Sequence, residues 1–302
     1  MAIQREIWQS HIEGNLFKNN EFLLASTDAS HHVLNGHMVH IPQAGAVPGV
    51  EKDRLSLPAT VTQRTDVDIT YTLSEYTTDP ILIPNAESYE LSYSKRESVL
   101  GESQAALRER IAEGLLREWA PSMAARIIRT SGTDIDAHLD GTIGTRKRFL
   151  AKDLKTAQLT MNKQNIPMEG RYALMSADMF EQLTNDITVA EYPDFGTAYD
   201  VKNGVLGRLF GFNIMLRSSV LVYSDDATPV ASAYGAAVAD TDNDAVLCWQ
   251  EHCVERALGT VDFFERLKDP TYYGDVYSIA VRMGGRKRRN DQKGTLVIVQ
   301  DA

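Results

Sequence analysis

Four histidines lie close together near the start of the chain: His31, His32, His37 and His40. Imidazole groups a few residues apart can converge on zinc, so this cluster is the strongest pattern for metal chemistry in the sequence. His37 and His40 are three positions apart in a segment that reads as a strand, so their side chains point to opposite faces. A metal-binding enzyme using these histidines is therefore kept as an alternative hypothesis only.

Other chemical patterns are weaker. Asp134, Asp136 and Asp140 suggest a calcium loop, but Thr145 stands where such a loop needs a glutamate, which favours a solvated turn. Cys248 and Cys253 match no CxxC spacing and are expected to be reduced packing thiols. The motifs GxSxG, HExxH, GxGxxG and the phosphate-binding loop are all absent. No catalytic residue, cofactor or metal ligand is assigned, and the chain is not expected to be an enzyme.

The charge balance argues against nucleic-acid binding by the whole molecule. There are 41 acidic and 31 basic residues, giving a net charge of −10, whereas phosphate neutralisation requires a basic surface. The one basic run, Arg286 to Arg289, follows Gly284-Gly285 and precedes Asn290-Asp291. This setting favours a solvated hairpin or an electrostatic contact between subunits over a DNA-reading motif.

Composition indicates an ordinary globular protein. The 302 residues are 43% apolar and 24% charged, and no stretch approaches the roughly 18 apolar residues of a membrane helix. The start of the chain has no basic region followed by an apolar run, so maturation in the cytosol is expected.

The first part of the chain reads as an arm followed by a long hairpin. Residues 1–34 show no period but are rich in apolar side chains, so they need a surface to lie against. Strands are predicted over 37–42, 59–64 and 67–73, the last from its period of two. Residues 43–58, rich in Gly, Pro and charge, form the predicted tip of the hairpin.

A long helix is predicted to follow. Ser94 and Glu97 have the spacing of a capping box, and Pro121 ends the periodic run. Roughly 25 residues at 1.5 Å rise give a rod of about 37 Å. Its apolar stripe comprises Leu100, Leu107, Ile111, Leu115 and Trp119.

The second half alternates shorter elements. A helix over 148–164, a strand over 171–176, a helix over 177–183 and a surface loop over 186–203 are predicted from periodicity and turn residues. Residues 204–219 read as a tight turn followed by a strand. Later strands are predicted at 246–250, 261–266, 276–283 and 295–300.

The order of these segments resembles the major capsid proteins of tailed bacteriophages with the Hong Kong 97 fold. The similar segments are a helix ending in Asn165-Ile166-Pro167, then Gly170 to Ser176, Met179 to Leu183, and Gly204 to Gly211 leading to Arg217-Ser218-Ser219. Gly36 to Pro42, Tyr273-Gly274, Gly284-Gly285 as a turn, and the closing Thr295 to Val299 resemble the family too. Each match is short, and their order over nearly the whole chain makes the resemblance specific.

The resemblance implies an α+β fold of four parts. These are an N-terminal arm (1–34), an extended β-hairpin loop (35–84), a peripheral domain (85–144 and 261–302) with a spine helix over 95–119, and an axial domain (145–260). The arm and the extended loop are expected to lie across neighbouring subunits.

The implied function is structural. Such a subunit self-assembles into pentamers and hexamers that form an icosahedral or prolate shell around double-stranded DNA, without reading its sequence. The implied location is the virion, after assembly in the host cytoplasm, and scaffolding, portal and decoration proteins are possible partners. A cellular encapsulin-like nanocompartment shell remains an alternative, because it shares the fold.

Two family features are not matched. Many relatives carry a scaffolding region ahead of the fold, whereas the fold-like pattern here begins by residue 36, so scaffolding is expected to be a separate protein or unnecessary. Some relatives form a Lys-Asn isopeptide bond. Lys52 lies in the expected loop tip, but no partner is indicated, and a solvated lysine is the favoured reading.

Overall fold

The structure is a computed structural model that describes residues 20–34, 37–43, 52–54, 67–84, 95–187 and 205–302. The α-helices are α1 (Lys95–Trp119), α2 (Ala151–Lys163) and α3 (Ala177–Asp186). The strands are β1 (Thr27–Asp28), β2 (Val33–Leu34), β3 (Met38–Gln43), β4 (Val67–Thr72), β5 (Ser74–Thr77), β6 (Ile81–Pro84), β7 (Ile127–Arg129), β8 (Asp134–Asp136), β9 (Thr145–Lys147), β10 (Arg171–Met175), β11 (Val205–Leu209), β12 (Phe212–Leu216), β13 (Leu221–Tyr223), β14 (Asn243–Gln250), β15 (Val254–Asp269), β16 (Gly274–Lys287) and β17 (Thr295–Val299). The mixed content confirms the predicted α+β class.

The long helix predicted from its apolar stripe is present as α1, with the predicted bounds. The indole nitrogen of Trp119 donates a hydrogen bond to the backbone oxygen of Glu255 at 3.0 Å, which ties the end of the helix to β15. The predicted capping residue, Ser94, lies outside the described residues. The stripe is buried, with no more than 5% exposure at Leu100, Leu107, Ile111, Leu115 and Trp119.

A seven-stranded mixed sheet runs in the order β11-β12-β10-β14-β17-β7, and β13 also pairs with β14. Every residue of β14 and β17 is buried. Successive side chains alternate between two apolar cores, with Leu247 and Trp249 in one and Val246 and Cys248 in the other. Because both faces are covered, Ala245 to Trp249 and Leu296 to Val299 read as continuous apolar runs.

The two cores lie on opposite faces of this sheet. One contains the apolar residues of α2 and α3, such as Leu154 and Met179. The other contains the stripe of α1 together with Phe263 and Ile279 from β15 and β16. The central sheet therefore lies between α2 and α3 on one face and the core shared by α1, β15 and β16 on the other.

Local sequence explains where the shorter helices begin and end. The backbone N–H groups of Asn165 and Ile166 donate to the carbonyls of Asn162 and Met161 at 3.0 and 3.2 Å. Asn165 adopts a φ of +56°, so these bonds form a Schellman ending for α2. At the start of α3, the hydroxyl of Ser176 accepts from the backbone N–H of Met179 at 3.3 Å.

The prediction for residues 204–219 was partly wrong. Val205–Leu209 is itself a strand, and it forms a hairpin with Phe212–Leu216 rather than a turn ahead of it. The turn is Phe210-Gly211, with φ values of +48° and +80°, the geometry of a tight two-residue hairpin turn. The glycine at 207 obscured the strand pattern, since glycine disfavours strands.

A five-stranded sheet is built on the long hairpin of β15 and β16. β1 pairs with β15 at one edge, and β5 and β6 pair with β16 at the other. Gly284 and Gly285, predicted to mark a turn, lie inside β16, which continues to Lys287. A Cβ on Gly285 would meet Leu115 Cδ2 at 2.7 Å, so this glycine permits close packing of α1 on the strand.

Candidate assembly surfaces

Among the described residues, the hairpin of β3 and β4 contacts the rest of the chain only near its base. The strands are antiparallel, with His40 opposite Thr70, and no further strand pairs with β4 in that part of the chain. Val39 and Leu73 are buried in a small core with Ala257 of β15. The predicted strand over 59–64 and most of the tip lie outside the described residues. A hairpin supported only at its base leaves strand edges for another chain to cover.

Residues 20–34 are docked on their own subunit, which differs from the expectation that the whole arm would lie on a neighbour. Leu23 is fully buried, and Phe22 makes an edge-to-face contact with Trp119, with ring centroids 6.2 Å apart. The guanidinium of Arg256 donates to the carbonyls of Leu23 and Ser26 at 2.9 and 2.8 Å. This arm segment completes the core of its own subunit because it seals the open edge of β15.

The turn between β15 and β16 exposes large apolar side chains. Tyr273 is 79% exposed and Tyr272 is 56% exposed. The carboxylate of Asp269 accepts a hydrogen bond from the backbone N–H of Thr271 at 2.7 Å and forms an ion pair with Arg266, with Nε at 2.8 Å. A turn that exposes two adjacent aromatic rings is a surface suited to contact with another molecule.

A cleft of about 1110 Å³ lies between α1 and the β4–β5 segment. The guanidinium of Arg117 lies 5.9 Å from the centroid of the Tyr234 ring, a cation–π contact. Arg117 Nη1 and the Tyr71 hydroxyl are buried and have no hydrogen-bond partner among the described residues. Leaving a buried polar atom without a hydrogen bond costs on the order of 1–3 kcal/mol of folding free energy. Among the described residues, the cleft therefore contains two unsatisfied hydrogen-bonding groups. Burial raises the pKa of the Tyr76 phenol in the same cleft to about 12.

The four histidines do not come together as a metal site in the described residues. His31 and His32 lie on a short 3₁₀ turn with ring centroids 4.0 Å apart, and His40 lies on β3. Nowhere in the ranges that the structure describes do three or more His, Cys, Asp or Glu residues form a group that could hold a metal ion.

The other candidate residues are placed as follows. Asp134 and Asp136 lie in β8, opposite Lys147 and Thr145 of β9, so they belong to a short hairpin and not to a cation loop. Lys52 is exposed. Both cysteines are free and buried, as predicted, and burial raises the pKa of both thiols.

The basic run at 286–289 is not a solvated hairpin, because its side chains are paired within the subunit. Arg286 Nε lies 2.6 Å from the buried carboxylate of Glu255, and Lys287 Nζ donates to the carbonyls that end α1. Arg289 pairs with Asp291 at 3.0 Å. The strand continues through the glycines, and this places the basic side chains against the helix end, where cations are favourable.

One polar network was missed by sequence reasoning. Asp244, 1% exposed, accepts from the Ser176 hydroxyl and is hydrogen-bonded to His138 Nε2 at 3.0 Å. Burial lowers the pKa of His138, but the hydrogen bond to Asp244 and its charge outweigh burial, and the pKa is raised. No spacing signal could reveal this network, since its members are distant in sequence.

No protein-family model matches the sequence, and no curated protein is significantly similar to it. Solved structures are similar. The capsid of Ralstonia phage GP4 matches with a TM-score of 0.66 at 13% identity, over 92% of this chain and 87% of that chain. The capsid of cyanophage P-SCSP1u gives 0.62 at 15% identity, over 91% and 86%. A structure from Mycobacterium phage Che8 gives 0.54 at 16% identity, over 94% and 89%.

These matches span nearly the whole of each chain, although few residues are identical. The chain has the fold of tailed-phage capsid proteins, as its sequence resemblance predicted. In the described part of the chain, no helix combines the length and apolarity needed to span a membrane.

Proposed function

We propose that this chain is the shell-forming subunit of a tailed bacterial virus. It assembles as pentamers and hexamers into a closed icosahedral or prolate capsid around double-stranded DNA. The observation that carries the proposal is the match to the Ralstonia phage GP4 capsid over 92% of this chain and 87% of that chain. The role is structural and not enzymatic.

The shape of the subunit supports this role. In the part of the chain that the structure describes, the β3–β4 hairpin and the β15–β16 turn each present a surface that the subunit's own core does not cover. Several weak contacts acting together can hold a closed symmetric shell, because each additional contact becomes intramolecular once the first has formed.

The four-part division of the chain belongs to the same proposal, with its boundaries adjusted. We assign β7 and β17 to the axial unit together with residues 145–253, since both strands lie in the seven-stranded sheet. The spine helix α1 and the β15–β16 hairpin make up the peripheral unit, and the β3–β4 hairpin is the extended loop.

The proposed partners are other copies of this chain, with portal, scaffolding and decoration proteins joining the particle. The subunit is assembled in the host cytoplasm and resides in the virion. A net charge of −10 supports a wall that encloses DNA without binding it tightly, because a phosphate-binding surface has to be basic.

Negative-stain electron microscopy with size-exclusion chromatography tests the proposal, on the protein expressed alone and with its neighbouring genes. Hollow closed particles or ring-shaped capsomers are the expected result. A monomer or dimer under every condition, carrying stoichiometric zinc, would overturn the proposal and favour the histidine cluster. The contents of purified particles separate a virus shell from a nanocompartment, since DNA is expected in the former and a cargo protein in the latter.

A further inference from the structure

We propose that residues 20–34 form a strap that sets the angle between the axial unit and the peripheral unit within one subunit. The strap lies against both units where they meet. Its consequence for a shell rests on the proposed function, because a subunit with a defined angle between its units joins its neighbours with a defined curvature.

The two units share an apolar core, which by itself allows them to shift. Trp119, at the end of α1, belongs to the peripheral unit, and Trp249 of β14 belongs to the axial unit. Their ring centroids lie 5.7 Å apart in that core. Packed layers can slide past each other by small amounts, because apolar contacts are not directional. Hydrogen bonds that reach both units therefore have a different effect, since they fix the relative position of the two.

The middle of the strap is hydrogen-bonded to the axial unit. The indole nitrogen of Trp249 donates to the backbone oxygen of Ala25 at 2.7 Å. The backbone N–H and the hydroxyl of Thr27 both donate to the backbone oxygen of Glu251, at 3.1 and 3.2 Å. Glu251 lies in the turn that joins β14 to β15, so these bonds hold the strap at the boundary between the units.

Contacts with the peripheral unit lie on both sides of this middle part. On the N-terminal side, the carbonyl of Leu23 accepts from the guanidinium of Arg256 in β15 at 2.9 Å. On the C-terminal side, the hydroxyl of Ser30 accepts from the backbone N–H of Leu258 at 2.9 Å. Contacts along the strap therefore alternate between the peripheral unit, the axial unit and the peripheral unit again.

This alternation distinguishes the strap from a segment that only covers a core. If the units rotate relative to each other, the strap cannot follow both of them. Either the bonds to Trp249 and Glu251 or the bonds to β15 then have to break. Rotation is opposed while the strap is docked, and it becomes easier when the middle part is released.

Distances between spin labels in the unassembled, full-length subunit test the proposal. Glu102→Cys on α1 and Lys152→Cys on α2 place one nitroxide on each unit, at exposed positions. Both native cysteines are buried, and the chain without introduced cysteines measures any background labelling. Double electron–electron resonance then gives the width of the distance distribution, which reports how well the angle is defined.

The first variant releases the strap from the axial unit. Thr27→Pro removes both bonds to Glu251, and we expect it to widen the distance distribution at least about twofold. The matched control is Ser30→Ala, which removes a strap bond to the peripheral unit alone. Its width should equal that of wild type, because Arg256 and the pairing of β1 with β15 keep the strap on that unit.

A second pair of variants decides the question if Thr27→Pro does not fold. Trp249→Phe removes the indole donor to the strap, whereas Trp119→Phe removes an indole bond to Glu255 within the peripheral unit. Both indoles are fully buried in the same core, so the two substitutions leave cavities of the same kind. Only Trp249→Phe should widen the distribution. Equal widths in this pair, or a wild-type width in folded Thr27→Pro, would show that the strap only stabilises the fold and would overturn the inference.

Assembly separates this inference from the proposed function. Particles formed by the variants with widened label distances should have a broader range of diameters than wild-type particles in electron micrographs. Wild-type diameters from such variants would overturn the link between the strap and shell curvature. Failure of the unmodified protein to form any particle would remove the shell function, while the label distances would still decide whether the strap sets the angle.

Discussion

At the scale of single residues, Glu255 shows how the fold uses a buried charge. Its side chain is 1% exposed and lies 2.6 Å from Arg286 Nε and 3.4 Å from Arg288 Nε. A buried carboxylate is tolerated only when it is paired, since its transfer from water is strongly unfavourable. This pairing also explains why the basic side chains at 286–289 do not form an unpaired, positively charged patch.

Glu255→Gln should lower the free energy of unfolding of the unassembled subunit by about 3 kcal/mol, because it leaves the partly buried Arg286 without its counter-charge. The matched control is Glu75→Gln, which removes an exposed ion pair with Arg282 at 2.7 Å and should change stability by less than about 1 kcal/mol. Urea denaturation of both variants measures the difference. Equal effects would show that burial does not set the strength of the pair.

The pKa of His138 is raised by its contact with Asp244, with a smaller contribution from Asp178, despite the opposing effect of burial. Proton binding therefore favours the folded state. The extra stability is fully present below the ordinary pKa of 6.5 and is lost as pH rises through the higher folded-state pKa.

His138→Gln should therefore destabilise the subunit more at acidic than at alkaline pH. Urea unfolding across the pH range, compared with the same substitution at the exposed His252, measures the effect. A constant difference between wild type and His138→Gln at all pH values would contradict the assigned ion pair.

At the scale of elements, Gly285 and Gly101 differ in what their surroundings require, which the sequence does not reveal. Gly285 lies where α1 meets β16, and a Cβ there would lie 2.5 Å from the Glu255 backbone oxygen. Gly101 lies in α1, and nothing is within 4 Å of its Cβ position. Close packing requires the first glycine, and nothing in the described surroundings requires the second.

Gly285→Ala should destabilise the subunit by at least about 2 kcal/mol, since α1 has to move away from the strand. Gly101→Ala should stabilise it by about 0.5–1 kcal/mol through helix propensity. Thermal unfolding of the two variants checks both signs. A tolerated Gly285→Ala would indicate that the helix is less tightly packed than the structure shows.

At the scale of the whole molecule, the exposed turn between β15 and β16 is expected to matter for assembly and not for folding. A few side chains bury far less than the roughly 800 Å² per partner of a stable pairwise interface, so the turn can contribute only alongside other contacts. The turn is therefore exposed in the free subunit and is expected to be covered in the assembled shell.

Tyr272→Ser with Tyr273→Ser should leave the free energy of unfolding within about 0.5 kcal/mol of wild type, because both side chains are exposed. The same variant should form fewer closed particles at a given concentration, measured by light scattering and electron microscopy. Unchanged assembly would exclude this turn as a contact surface.

Sequence alone determined the parts of this protein that depend on local pattern. The apolar stripe and the start and stop signals predicted α1 with its bounds, and Asn165-Ile166-Pro167 marked where α2 ends, because helix periodicity and capping are short-range properties. The order of elements was enough to predict the fold of tailed-phage capsid proteins.

Only the tertiary structure decided the features that join distant segments. It paired Glu255 with Arg286, joined His138 to Asp244, docked residues 20–34 on β15, and showed that Gly284-Gly285 continues a strand beneath α1. Glycine serves both turns and close packing, and a basic run that reads as solvated in the sequence is paired with a buried carboxylate in the fold. These choices depend on which surfaces meet in space, and residue spacing along the chain does not contain that information.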